Sequence, residues 1–402
     1  MTVVPIAHGS PFGLDNLPYG VFSVGGDPAR VGVRIGDCVL DLSIILSDDT
    51  FAAASLNPFM AQGPDRWSEV RAAITAVAAT DLPADAVHGE QDVVLHLPFE
   101  VADYVDFYAS EHHAANLGRL LRPGSQPLMP NWKHLPVSYH GRAGTVVVSG
   151  TPITRPNGQR KAAADPAPSF GPSQRLDIEA ELGFVVGVGS PAGQPIDVAA
   201  FPGHVFGAVL VNDWSARDIQ AWEYLPLGPH LGKSFATSIS PWVVPVAALE
   251  AARVPRPEQD PEPLPYLRQS APWGLDVELA VEWNGVEVSR PPYRHMYWSP
   301  AQMLAHMTVN GASTRTGDLF ASGTISGPAH TERGSFIELT WGGREPITLN
   351  GQERSFLLDG DEVIITATAP GTAGGRIGFG EVRGAIGPAR VTEERPARQT
   401  SR

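Results

Sequence analysis

Most of the chain consists of short, strand-like hydrophobic runs separated by turns, and only a few segments have apolar positions at helical spacing. In the first hundred residues the strand-like runs are 19–24, 30–35 and 38–42. Gly36-Asp37, between the last two runs, is typical of a hairpin turn. Only residues 65–78 show apolar positions at helical spacing, which predicts a helix there. We therefore expect a small β-rich first unit over residues 1–98.

The rest of the chain, up to residue 390, also consists mainly of strand-like runs separated by turns. The predicted strands are 145–149, 176–188, 205–211, 275–283, 318–322, 335–341 and 362–368. The predicted helices are 106–121, 215–223 and 299–308. Residues 251–265 are rich in proline and typical of a surface loop, and residues 391–402 are typical of a flexible tail. The pattern predicts a second, larger β unit over residues 99–390.

Composition narrows the classes of protein to which this chain can belong. The 42 glycines and 38 prolines make up about a fifth of the 402 residues, too many for a helical bundle. A net charge of −14 disfavours nucleic acid as a partner, since phosphate backbones are also negative. The single cysteine, Cys38, excludes an internal disulfide and a zinc site of the CxxC type. We expect a cytoplasmic protein without a membrane partner, because we find no leader sequence and no apolar run long enough to span a bilayer.

Three carboxylates form a candidate cation site. Glu179 and Glu181 are two positions apart on a predicted strand, so their side chains share one face. That face could be an exposed sheet edge, but the apolar residues 182–186 that follow make a wet face less favourable. Asp213 follows a buried strand, where ligand sites are often built, although an ordinary helix N-cap explains it equally well. Together these residues suggest a site for a hard cation, which prefers oxygen ligands.

A histidine supplies a candidate general base. Asp106 and His113 are seven positions apart in a predicted helix, which places both on one helical face. They could act as metal ligand and base, or they could be a cap and an ordinary surface histidine. Lys233 lies in a glycine-containing segment, residues 228–234, that lacks the spacing of a phosphate-binding loop. We therefore do not expect nucleotide binding there.

Several motifs resemble the fumarylacetoacetate hydrolase family, in the same order, over residues 13–388. The motifs are Asn16-Leu17-Pro18-Tyr19-Gly20-Val21-Phe22, Asp103-Tyr104-Val105-Asp106-Phe107-Tyr108, Met129-Pro130-Asn131-Trp132, Tyr139-His140-Gly141-Arg142-Ala143, Asn212-Asp213-Trp214-Ser215-Ala216-Arg217-Asp218, Leu227-Gly228-Pro229, Leu231-Gly232-Lys233-Ser234-Phe235 and Ser322-Gly323-Thr324-Ile325-Ser326-Gly327-Pro328. The resemblance implies a mainly β fold: a small N-terminal SH3-like β-barrel domain, then a larger mixed β-sandwich roll with few helices that forms a homodimer. Because the wider family usually shares only the second unit, the first unit favours the branch that cleaves fumarylacetoacetate over the acylpyruvate hydrolases.

The resemblance also implies roles for individual residues. The catalytic residues would be the base His113, Glu338 that orients it, and Arg217, Gln220 and Lys233 that hold the oxyanion. The substrate-binding residues would be Tyr108, Arg122, Tyr139, Tyr224 and Thr324. The metal group would comprise Asp106, Glu179, Glu181 and Asp213, together with Lys233 and Thr237. The cofactor would be a divalent cation, Ca²⁺ and/or Mg²⁺.

The implied reaction is metal-dependent hydrolysis of a carbon–carbon bond in fumarylacetoacetate. It would give fumarate and acetoacetate, the last step of tyrosine and phenylalanine catabolism. An acylpyruvate or other diketo-acid hydrolase with the same core is the alternative within the family. A non-catalytic β-rich protein with a structural cation is the alternative from another class. That alternative gives no reason for His113 beside Asp106, or for Arg217 and Gln220 one helical turn apart.

Overall fold

The protein is described by a computed structural model that covers residues 4, 6–162 and 164–390. The predicted flexible tail, residues 391–402, lies outside the described residues. Within the described part, no helix is both long and apolar enough to cross a membrane.

The first unit contains five strands and three helices. In chain order they are β1 (Tyr19–Ser23), β2 (Arg30–Ile35), β3 (Cys38–Asp41), α1 (Leu42–Leu46), α2 (Asn57–Met60), α3 (Pro64–Ala78), β4 (Val87–Gly89) and β5 (Val94–His96). The strands form one antiparallel sheet in the order β4-β3-β2-β1-β5, curled into a half-barrel. Helix α3 buries Val70 and Ile74, as its apolar period predicts. The β-rich character predicted for this part of the chain is confirmed.

The larger unit has many short strands and few helices. In chain order its elements are β6 (Tyr104–Phe107), α4 (Glu111–Leu121), β7 (Ser138–His140), β8 (Val146–Val148), β9 (Ile153–Thr154), β10 (Asn157–Arg160), β11 (Ser169–Pro172), β12 (Leu176–Asp177), β13 (Ala180–Val186), α5 (Phe201–His204), β14 (Val205–Asp213), β15 (Ser215–Ala216), α6 (Arg217–Glu223), β16 (Thr237–Ile239), β17 (Val244–Pro245), β18 (Arg253–Val254), β19 (Gly274–Leu275), β20 (Glu278–Trp283), β21 (Val286–Ser289), α7 (Pro300–Thr308), β22 (Leu319–Ala321), α8 (Phe336–Leu339), β23 (Ile347–Leu349), β24 (Gln352–Arg354), β25 (Glu362–Pro370) and β26 (Arg376–Gly387).

Two sheets dominate this unit, and the predicted mainly β class is confirmed. The large sheet has the order β7-β6-β22-β13-β14-β16-β8, with β17 also paired to β14. A second sheet has the order β21-β20-β25-β26-β9. The main hydrophobic core contains side chains from both sheets.

Strand β14 is buried on both faces, which explains its unbroken apolar run. Ala208 and Leu210 belong to the core shared with the second sheet. Val209 and Val211 point the other way, into a core shared with the first unit. Asp213 therefore lies at the end of a buried central strand of the large sheet.

The predicted helix over residues 106–121 is wrong in its first part. Asp106 lies on β6, which pairs in parallel with β22 and antiparallel with β7. The aromatic and β-branched side chains of β6 favour a strand, and both neighbours satisfy its backbone. Helix α4 begins only at Glu111, after Ser110, whose hydroxyl accepts from the backbone N–H of His113 (3.2 Å). The predicted single helical face for Asp106 and His113 is therefore also wrong.

Two further segments differ from the sequence prediction. The run predicted as a strand at 335–341 contains the one-turn helix α8, all four residues of which are buried. Burial on every side removes the alternation that marks a strand, so the pattern was not decisive there. Ser215 and Ala216 pair with β12 as a strand, so the helix predicted from residue 215 begins at Arg217.

Candidate active site

Four carboxylates meet at the ends of neighbouring strands of the large sheet. Asp106 lies on β6, Glu179 and Glu181 lie around the start of β13, and Asp213 ends β14. One oxygen from each carboxylate lies within 4.8 Å of the others, and all four residues are buried. The two-residue spacing of the glutamates does place both in one site. The structure thus gathers the four carboxylates of the predicted metal group.

Two of these carboxylates are poorly compensated. Oδ1 of Asp106 and Oε1 of Glu181 have no hydrogen-bond partner among the described residues. Burial, and then the neighbouring Asp213, raise the pKa of Asp106 well above its ordinary value. Burial, and then Asp106, do the same to the pKa of Glu181. Orphaned, buried carboxylate oxygens are the donor set that a hard divalent cation requires.

Two basic side chains, Lys233 and Arg217, form ion pairs with the other two carboxylates. Nζ of Lys233 lies 2.6 Å from Glu179 and 2.8 Å from Asp213. Nη1 of Arg217 donates to Glu179 (2.6 Å) and lies 3.2 Å from Oε1 of Gln220. Burial opposes ionisation of Glu179, but Lys233 and Arg217 lower its pKa below the ordinary value. These ion pairs fix both basic side chains at the site. The carboxylates still outnumber the basic groups, and a divalent ion would reduce the remaining negative charge.

Gly323 ties the backbone after β22 to this cluster. Its N–H donates to Oε2 of Glu181 (3.1 Å), and its φ of +75° is in the left-handed region. A Cβ at this position would lie 2.2 Å from the carbonyl oxygen of Phe107, next to Asp106 on β6. Glycine is therefore required here both for its backbone conformation and for the close approach of β6.

We expect Gly323→Ala to destabilise the fold and loosen the carboxylate cluster. Positive φ costs about 1–2 kcal/mol and the clash about 1–3 kcal/mol more, measurable by urea unfolding. Gly285→Ala is the matched control, because its φ is also +75° and nothing lies within 4 Å of the added methyl. Equal losses for the two variants would contradict a specific role for Gly323.

The candidate base is held by a buried carboxylate. Nδ1 of His113 lies 2.6 Å from Oε2 of Glu338. Glu338 also accepts from Asn116 (2.9 Å), Ser326 (3.0 Å) and Ser335 (2.7 Å). Burial opposes its ionisation, but His113, Asn116 and Ser335 hold the pKa of Glu338 below its ordinary value. An ionised carboxylate on Nδ1 leaves Nε2 of the ring free to take a proton.

The predicted substrate-binding residues lie on two sides of the cluster. The ring of Tyr108 packs edge-on against His113, with centroids 5.3 Å apart. Arg122 ends α4 near Tyr108, and its Nε has no partner among the described residues. The hydroxyl of Tyr139 donates to Asp213 (3.0 Å). A cavity of about 170 Å³ adjoins Asp213 and is also lined by Lys233 and Tyr139.

The remaining predicted residues differ in how closely they approach the cluster. The hydroxyl of Thr237 donates to Asp213 (2.9 Å). The Thr324 hydroxyl is buried just after Gly323 and has no partner within the described part of the chain. Tyr224 is half-buried at the end of α6 and forms no side-chain hydrogen bond among the described residues. Its role stays a prediction.

Some residues of the site were not predicted. Asp177 is fully buried and bonded to Arg217, and Asn116, Ser326 and Ser335 surround Glu338. Asp177 continues the alternation of Glu179 and Glu181 towards the N-terminus, and that pattern was the available signal. The three donors to Glu338 come from distant segments, and no local pattern marks them.

Comparison with known proteins places this geometry in a family. One family model, "Fumarylacetoacetase N-terminal", matches residues 15–98, and a second, "Fumarylacetoacetate (FAA) hydrolase C-terminal", matches residues 103–386. The chain belongs to the fumarylacetoacetase family. Fumarylacetoacetase of Homo sapiens is 49% identical over 416 residues, 97% of this chain and 99% of the relative. Fumarylacetoacetase of Arabidopsis thaliana is 43% identical, and the match covers 96% of this chain and 98% of the relative. The protein is accordingly a hydrolase.

Solved structures share the fold at much lower identity. Fumarylacetoacetate hydrolase from Exiguobacterium antarcticum superposes with a TM-score of 0.57 at 19% identity, covering 93% of this chain and all of that one. Maleylpyruvate hydrolase from Sphingobium sp. SYK-6 superposes with a TM-score of 0.54 at 14% identity. The match covers 93% of this chain and 100% of that structure's chain. At such low identity, these two likenesses concern the fold alone.

Proposed function

We propose that this protein hydrolyses fumarylacetoacetate to fumarate and acetoacetate. The observation that carries the proposal is the His113–Glu338 pair beside a buried four-carboxylate cluster. That arrangement lies in a chain which matches curated fumarylacetoacetases over nearly its whole length. A base next to a divalent-cation site suits the attack of water on a diketone.

In the proposed first step, His113 removes a proton from the attacking water. Glu338 holds Nδ1 of the ring, so Nε2 is the atom that accepts this proton. The ring becomes positively charged, and the buried carboxylate 2.6 Å away stabilises that charge. Water attacks the carbonyl carbon on the fumaryl side and its oxygen enters the new carboxylate of fumarate.

The oxyanion formed by this attack needs fixed donors. Nη2 of Arg217 is buried and has no acceptor among the described residues, so it is free to donate to the substrate. Lys233 is fixed beside it by two carboxylates, and Gln220 is fixed by Arg217. Donors that are already oriented stabilise developing charge without reorganising. Collapse of this intermediate then breaks the carbon–carbon bond, and the protonated His113 returns its proton to the carbanion, which leaves as acetoacetate.

The cation of this proposal is Ca²⁺ or Mg²⁺. Asp106, Glu179, Glu181 and Asp213 would hold it, with Lys233 and Thr237 bonded to the outer side of Asp213. When bound, a divalent cation polarises the diketone oxygens and stabilises the negative charge of the leaving group.

Recognition of the substrate also requires positive charge, because fumarylacetoacetate is a dianion and the protein carries −14. Arg122, with its unpartnered Nε, and the hydroxyls of Tyr108 and Thr324 would bind one end. Tyr139 would contact the diketone from the other side of the cluster, and Tyr224 would close the site.

Other parts of the proposal concern the setting of the reaction. We place it in tyrosine and phenylalanine catabolism, in the cytoplasm, with two domains over 1–98 and 99–390 and a flexible tail over 391–402. We further propose a homodimer, which light scattering coupled to gel filtration would test.

An ¹⁸O experiment tests the proposed reaction. Fumarylacetoacetate is incubated with the enzyme in H₂¹⁸O, quenched early, and both products are analysed by mass spectrometry. We expect one ¹⁸O in fumarate, since the attacking water supplies one oxygen of its new carboxylate. Formation of ¹⁸O-labelled malonate and 4-oxopent-2-enoate instead would show attack at the other carbonyl, and no cleavage at all would refute the function.

Removing the charge of Lys233 should act mainly on the transition state. We expect Lys233→Met to lower kcat by about 10² to 10³, a typical loss for one oxyanion donor, with little change in KM. Lys133→Met is the control, because Lys133 pairs with Glu111 at the surface side of α4. A raised KM with unchanged kcat would show that Lys233 binds the ground-state substrate instead.

A further inference from the structure

Asp177 joins the two halves of the site. It is fully buried on β12, two residues before Glu179, and neither of its oxygens faces solvent. Oδ2 accepts from Nε of Arg217 (2.8 Å), and Arg217 in turn donates to Glu179 (2.6 Å). This side of Asp177 therefore leads to the carboxylate cluster.

The other contacts of Asp177 lead to the base. Oδ1 accepts from the backbone N–H of Phe336 (2.7 Å), and Oδ2 also accepts from the N–H of Ile337 (3.0 Å). These are the first two residues of α8, whose N-cap residue Ser335 supplies no capping hydrogen bond. Glu338 is the next residue of the same turn and holds His113. Asp177 thus fixes the one-turn helix that carries Glu338.

We propose that Asp177 is a positioning residue that sets the distance between His113 and the cation site. A four-residue helix cannot hold its own orientation, because isolated helical turns are unstable. The carboxylate locks α8 to Arg217, so the base and the oxyanion donor keep a fixed spacing. Small displacements of catalytic groups cost large factors in rate, since reacting atoms must be held in a near-attack geometry.

The charge and shape of Asp177 are both needed, because every partner is a donor. Oδ1 also accepts from the N–H of Ile178 (2.8 Å), so each oxygen faces two donors. In Asp177→Asn the side-chain NH₂ must face two of these donors in either orientation. The variant therefore releases the N–H groups of Ile178 and Phe336 in one orientation, and Arg217 with the N–H of Ile337 in the other.

The test combines kinetics with a double-mutant cycle. We expect Asp177→Asn to lower kcat about 10- to 100-fold with little change in KM, as for other residues that orient a catalytic ligand. In the His113→Ala background the same change should cost less than about 3-fold, since no base remains to be positioned. Equal losses in the two backgrounds would overturn the proposal, because Asp177 would then not act through the base.

Asp41→Asn is the matched control. Asp41 is also fully buried, caps α1 through Ser43 and Ile44, and pairs with Arg30, but it lies in the first unit. We expect it to lower the thermal midpoint without lowering kcat per folded molecule. A comparable fall in kcat for Asp41→Asn would show that loss of any buried carboxylate has this effect, which would overturn the specific role of Asp177.

A second measurement does not depend on activity. The proton between His113 and Glu338 should give a low-field ¹H resonance that His113→Ala abolishes. We expect Asp177→Asn to shift or broaden this resonance and Asp41→Asn to leave it unchanged; an unchanged resonance in Asp177→Asn would contradict the proposal. The kinetic test rests on the proposed hydrolysis. If the wild-type protein does not cleave fumarylacetoacetate, the proposed function is wrong, but the resonance still tests whether Asp177 positions His113 and Glu338.

Asp177→Glu covers the case in which the asparagine variant does not fold. It keeps the charge and both acceptors but moves the carboxylate by one methylene, so we expect a folded enzyme with reduced kcat. If neither variant folds while Asp41→Asn does, Asp177 serves the fold alone and the proposal is wrong.

Discussion

Replacing His113 with alanine should lower kcat by about 10² to 10⁴, the usual contribution of a positioned base. His113 is 2% exposed and bonded to Glu338, so its ring faces the site. Its neighbour on α4, His112, points elsewhere, since consecutive helical residues differ by about 100°. The ring of His112 lies against His295, with centroids 5.9 Å apart. Steady-state kinetics with fumarylacetoacetate measure the effect.

His112→Ala is the control for this prediction and should stay near wild type. Both variants should remain folded, as judged by circular dichroism and gel filtration. An inactive His112 variant beside an active His113 variant would contradict the assignment of the base.

Removing the divalent cation should abolish activity and lower thermal stability together. The four carboxylates repel one another without a cation, and binding to the folded state stabilises it by mass action. Dialysis against a chelator, followed by elemental analysis, a thermal melt and an assay, measures all three quantities. Adding back Ca²⁺ or Mg²⁺ should restore both activity and stability.

The conservative variant Glu181→Gln should weaken the affinity for the added ion and leave the fold intact. Its Oε1 has no partner in the described structure, so the neutral amide removes a ligand rather than a structural bond. Full activity in metal-stripped wild-type protein would end the metal interpretation.

Local sequence was informative where one period dominates a segment. The alternation around Glu179 and Glu181 placed two carboxylates on one face, and the apolar residues after them disfavoured a wet surface. The apolar run before Asp213 likewise indicated a strand buried on both faces. These features depend on the segment itself and not on its partners.

Long-range pairing explains what the sequence did not reveal. Strand β26 was not predicted, because glycines at four of its twelve positions look like turns. The structure shows why they are there: a Cβ on Gly384 would lie 2.4 Å from the ring of Trp214, and one on Gly380 would lie 2.8 Å from Trp242. Distant side chains require those glycines, and no local period records that requirement.

The same limit applies to the base. His113 was assigned to the face of Asp106 by helical spacing, but Asp106 is a strand residue held by β22 and β7. The two residues belong to one site because tertiary packing brings α4 to the sheet edge. The alternation with Glu179 and Glu181 marked the face of Asp177 but not its role, since its bonds to Phe336 and Ile337 span about 160 residues.

Selectivity for fumarylacetoacetate over acylpyruvates is the property we expect of this enzyme. Its most direct test is to measure kcat/KM for fumarylacetoacetate and for an acylpyruvate side by side, following loss of the diketone absorbance. We predict a clearly higher kcat/KM for fumarylacetoacetate, with fumarate and acetoacetate formed in equal amounts. A higher kcat/KM for the acylpyruvate would contradict the account and assign the enzyme to the acylpyruvate hydrolases.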